Sequence, residues 1–141
     1  MDSVLFNLPD LNDFQSYIEF VDMLTETLLA RVNYTRALIG EAWINDSILN
    51  EYVVTRGQLL VKYLESFITS RIDSGDLRPV EPRMTARIMI ATFIGAWLPV
   101  LRGFEEPPDA SRRKEVSEAV VRVIADGIAH HPRRSELGGM P

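Results

Sequence analysis

Few side chains in this 141-residue sequence have the types and spacing that chemistry needs. Its two histidines, His130 and His131, are adjacent, so they do not share one helical face. No Glu-x-x-His pair of the kind that di-iron bundles use is present. The absence of cysteine removes disulfides, thiolate metal ligands and Cys-His nucleophiles. Ser66 and Ser70 have no nearby base to activate them. Gly40, Gly57, Gly75 and Gly95 are single and widely spaced, unlike a phosphate-cradling loop. Glu105-Glu106 lies in a Pro-rich loop and reads as solvated, and Glu41 reads as a partly solvated or capped carboxylate. No catalytic residue, metal ligand or cofactor site is expected.

What remains is an apolar cluster. Tyr63 and Phe67 fall on one predicted helix and Met89, Phe93 and Trp97 on another, with Tyr17 and Trp43 as candidate neighbours. Sites between bundle helices are mostly apolar with a few polar anchors, which Tyr63, Thr92 and Tyr34 are placed to supply. The competing reading is that all of these are plain core.

The length fits one domain that buries about two-thirds of its unfolded surface. Hydrophobic residues make up 46% and charged residues 25%, which argues against disorder. Residues 1–70 carry ten acids and four bases, and residues 71–141 carry ten acids and eleven bases. No segment has the clustered Lys and Arg that phosphate neutralisation needs, so this stretch is a poor DNA binder by itself. No uninterrupted apolar run reaches the roughly 18 residues of a membrane span. The first residues lack a signal-peptide pattern, and the expected location is cytoplasmic.

Periodicity predicts about five helices and no strand. Residues 1–11 read as a leader, residues 12–129 as the helical domain and residues 130–141 as a flexible tail. The first helix is expected from a cap at Asn12, with Gln15 as its partner, to about Val32. A short one follows from about Tyr34 to Ile44, capped by Asn33, and a long one from about Ser47 to Ser74. Mid-helix Gly57 costs about 1 kcal/mol relative to Ala and reads as a site of close packing or of a bend that opens a cavity. Glu81-Pro82 opens the fourth helix, which runs to about Leu101, and Asp109 or Ser111 caps the fifth, about Ala110 to Ala129.

The fourth helix is apolar on two sides. Met89, Phe93, Trp97 and Leu101 form one stripe, with Ile90 and Ile94 beside it, while Met84, Ile88, Ala91 and Gly95 lie opposite. An isolated surface helix shows one apolar stripe. The second is expected to meet another copy of the chain, the alternative being a central helix of a monomeric bundle. The fifth helix carries a broad face of small and β-branched residues that includes Val116, Val120, Val123 and Gly127.

Ser74-Gly75-Asp76-Leu77-Arg78-Pro79-Val80-Glu81-Pro82, followed by Ala86, resembles the C-terminal regulatory domain of the TetR family of bacterial transcriptional regulators. There a long helix ends in Gly-x-Leu/Ile-Arg, and an acid–Pro pair opens the next. Val123-Ile124-Ala125-Asp126-Gly127-Ile128 resembles that family's closing segment. The resemblance spans about residues 13–129. It implies a homodimer built from the last two helices of each protomer. It also implies a pocket for a small hydrophobic effector between the first, third and fourth helices. The family's N-terminal helix-turn-helix, about fifty residues that read the major groove, has no counterpart here. The expected reading is therefore a regulatory piece that reaches DNA only through a head not in this sequence. The alternative is a stand-alone helical bundle acting through protein contacts. An interior cavity favours the first, and a solid core with an exposed apolar groove favours the second.

Overall fold

The structure is a computed structural model that describes residue 11 and residues 13–128. Among the described residues it is an all-α bundle of five helices without strands. Helix α1, Phe14–Ala30, opens with a reciprocal cap at Asp13. The Asp13 carboxylate accepts the Ser16 N–H at 2.8 Å, and the Ser16 hydroxyl accepts the Asp13 N–H at 3.2 Å. The expected cap, Asn12, lies outside the described residues. Hydrogen bonds from the Ser16 N–H and the Ser16 side chain hold the Asp13 carboxyl below its ordinary pKa.

The chain breaks at Arg31 and restarts as α2, Val32–Ala42, two residues earlier than expected and without a side-chain cap. Asn45 caps the next helix by accepting the Ser47 and Ile48 N–H groups at 3.1 and 3.3 Å. That helix, α3, starts as Asp46–Ile48, widens into a π-helical stretch at Leu49–Val54 and continues as Thr55–Asp73. The irregularity precedes Gly57, and nothing approaches within 4 Å of a Cβ placed there. Gly57 thus serves neither close packing nor the bend itself.

Gly75 adopts φ +86°, which the absence of a Cβ permits at low cost. The Asp76 and Leu77 N–H groups can then close back on the Arg71 carbonyl at 3.0 and 3.2 Å. The turn drives Leu77 into the core at 2% exposure. Arg78 bonds the end of the last helix: its N–H reaches the Ile128 carbonyl and its Nε the Gly127 carbonyl, both at 3.0 Å. Glu81 caps α4, Pro82–Leu101, through the Arg83 and Met84 N–H groups. Asp109 caps α5, Ala110–Ile128, through the Arg112 N–H at 2.8 Å.

The core joins Tyr17, Phe20 and Val21 of α1 to Leu64, Phe67 and Ile68 of α3, with Ala86 and Met89 of α4 and Val121 and Ile124 of α5. The most extensive packing is α3 along α4 and α1 along α5. A smaller cluster sets Trp97, Val100 and Leu101 of α4 against Leu28, Leu29, Val32 and Ile39. α4 is also long and apolar enough, by length and composition alone, to cross a bilayer, although Arg83 and Arg87 interrupt its apolar run. Ala86, Met89, Trp97, Val100 and Leu101 nevertheless pack into the protein.

Candidate functional site: a solid aromatic core, an open face and a groove

The sequence-predicted aromatic cluster is assembled in part, and among the described residues the void it borders is not ligand-sized. Phe67 stacks on Tyr17 with ring centroids 6.1 Å apart, and Tyr63 meets Phe20 edge-on at 5.2 Å. Met89 has no exposed surface, and Phe93 packs against both apolar clusters. The void that Met89 and Phe93 border measures about 10 Å³, which is at the lower limit for a single water. Trp97 is 3% exposed, in the smaller cluster and away from Tyr63. Tyr63, Phe67, Met89, Phe93 and Trp97, expected to line a cavity, pack between the helices, Tyr63 and Phe93 half-buried and the other three buried. Burial also pushes the Tyr17 phenol up. Of the expected neighbours and anchors, Trp43 is exposed at the end of α2, Tyr34 is half exposed, and the Thr92 hydroxyl donates to the Ile88 carbonyl of its own helix.

The second stripe of α4 stays open to solvent. Met84 is 49% and Ile88 56% exposed, and Ala91, Gly95 and Leu98 continue the line at spacings of three and four residues. From α5, Val123 is 69% exposed, with Ala119 and Gly127 beside it. Val120 faces the protomer core at 7% exposure, and Val116 is partly buried against the same core. Both also line, with Thr92, Ala96, Ala119 and Val123, an open depression between α4 and α5. A Cβ at Gly95 or at Gly127 meets nothing within 4 Å, so both glycines leave the face flat.

Sequence reasoning missed a groove between α3 and α4. It holds about 690 Å³ and is open on its outer side. The two helices run antiparallel through the short Gly75 turn, so the C-terminal half of α3 lies beside the start of α4. Lys62, Glu65, Arg83 and Arg87 line that end. Val53 and Val54, from the π-helical stretch, and Ile94 line the other. Gly57 and Ala91, both small, lie between them with Val61 and Ile90. Two sequence signals pointed this way: a glycine with no turn to make, and two arginines four residues apart on a helix otherwise almost free of charge.

No family model matches the chain, and no curated protein matches it.

Proposed function

We propose that this chain is the effector-responsive dimerisation domain of a TetR-like transcriptional regulator, reaching DNA through a helix-turn-helix carried elsewhere. The observation that carries the reading is the open α4 face of Met84, Ile88, Ala91, Gly95 and Leu98. A contiguous exposed apolar patch of this kind marks a binding surface. A two-fold axis that pairs it with itself buries all five residues in one isologous contact with α5 alongside. The five carry no charge, so the contact costs little desolvation. A regulator built this way works by population shift: a ligand that binds one dimer geometry better than another moves the equilibrium toward it.

A second reading has its own observation. The closed aromatic core favours a bundle that acts purely by protein contact, using the same open face on a different partner.

Gly95→Arg tests the dimer. An added Cβ meets nothing within 4 Å in the protomer, so the fold should be retained while the face is blocked. Sedimentation equilibrium should find dimers for the unmodified chain and monomers for the variant, with matching helical circular dichroism. A variant that stays dimeric would show the face to be wrongly assigned. A parent that is monomeric at every concentration would leave the protein-contact reading ahead.

A further inference from the structure

We propose that the groove between α3 and α4 binds a single-chain anionic amphiphile, with its charged head at Lys62, Arg83 and Arg87 and its tail toward Val53, Val54 and Ile94. This deepens, and rests on, the reading of the chain as an effector-responsive dimer.

The first argument is charge placement. Arg83 occupies the first turn of α4, where the helix dipole is positive and cations are disfavoured, and Arg87 follows one turn later. They are also like charges at i, i+4, which repel on a helix surface. Neither they nor Lys62 has an ion pair or side-chain hydrogen bond among the described residues. Glu65 is the one acid on the groove wall. Three cations are thus gathered at one end of a groove in a chain whose net charge is −5. An anionic head offsets their mutual repulsion.

The second argument is shape. Residues 54–65 of α3 extend over roughly 16 Å at 1.5 Å per residue, the reach of a medium-length alkyl chain. The space exists because Gly57 and Ala91 contribute almost no side chain to it. The π-helical stretch supplies the apolar end; such irregular turns recur at functional sites. The Thr55 hydroxyl, 2.8 Å from the Asn50 carbonyl five residues back, helps satisfy that turn. Ala91 belongs both to the groove and to the open face, so an occupant there touches the element that sets dimer geometry.

The test is calorimetric titration of the full chain with dodecanoate, dodecanol and dodecyltrimethylammonium, each below its aggregation threshold. Dodecanoate should bind at one per protomer, weakening as salt is raised. The neutral and cationic chains should bind at least about tenfold more weakly. Arg83→Gln with Arg87→Gln should weaken dodecanoate by a similar factor. Gly57→Leu, a good helix former that fills the groove, should abolish binding without loss of helix. No binding of dodecanoate, equal binding of all three probes, or full binding by Gly57→Leu would each overturn the proposal. Sedimentation of the same samples keeps the two readings apart. A dimer that ignores dodecanoate sinks the ligand and spares the dimer, whereas a monomer that binds it does the reverse.

Discussion

Arg113 ties α5 to α1 through its side chain. Its guanidinium lies 2.9 and 3.3 Å from the two carboxylate oxygens of Asp22, so α5 is tied to α1 by a two-pronged contact. Glu26 stands 3.9 Å off, and the Ser117 hydroxyl is 3.5 Å from the same carboxylate. The Asp22 bond pushes the Arg113 pKa further up. Both side chains are about four-fifths covered, which removes much of the solvent screening that makes surface pairs weak. Arg113→Ala therefore leaves Asp22 poorly solvated and should destabilise the fold by about 1.5–3 kcal/mol. Asp22→Ala should cost a similar amount, and the double variant clearly less than the sum. Urea denaturation of the four proteins, at unchanged m-values, measures the coupling. Additive losses would mean that the two side chains are held by their helices and contribute little to each other. Arg36 and Arg78 act differently: each donates to carbonyls near a helix C-terminus, Arg36 at Val100 and Arg78 at Gly127, where a cation also suits the dipole.

Among the helices, one substitution has opposite effects at two glycines. Gly75→Ala puts a Cβ on a residue at φ +86° and should cost about 1–2 kcal/mol, loosening the turn that seats Leu77 and aims Arg78 at α5. Gly57→Ala sits in a helix beside empty space and should stabilise by up to about 1 kcal/mol. Thermal melts of both variants give the two signs; a loss at Gly57 would mean that the π-helical stretch next to it needs the glycine's freedom. The same contrast marks what could be read in the sequence. Helix ends were legible at Pro82, Gly75 and Asp109, because caps and left-handed turns are local chemistry. The open face of α4 was legible too, since two apolar stripes on one helix need two partners. The π-helical stretch was not, because an i→i+5 shift leaves no residue pattern of its own. Nor was the fate of the aromatic cluster: cavity and solid core use the same residues, and only the summed volumes of Tyr17, Phe20, Leu64 and Met89 decide between them. The groove stayed hidden because it depends on two small residues, Gly57 and Ala91, that are far apart in sequence and meet only across the helix pair.

For the whole molecule, the question is what covers α4. Met89, Trp97 and Leu101 of its inner stripe are buried in the core, while Met84, Ile88, Leu98 and, from α5, Val123 leave an apolar strip in water. Association through that strip makes stability depend on protein concentration, because folding and dimerisation then share one equilibrium. Over about a hundredfold range of concentration, Tm should rise by a few degrees for the unmodified chain and stay constant for Gly95→Arg. Scanning calorimetry of the two proteins side by side makes the comparison. Salt separates this surface from the groove. The strip is uncharged, so its Tm shift should survive high ionic strength, whereas contacts to Lys62, Arg83 and Arg87 are screened. A concentration dependence that vanishes in salt would place the association at the charged groove instead of the apolar strip. A Tm independent of concentration in both proteins would mean that α4 is not covered by a second copy of the chain, and that a different partner must be sought for the strip.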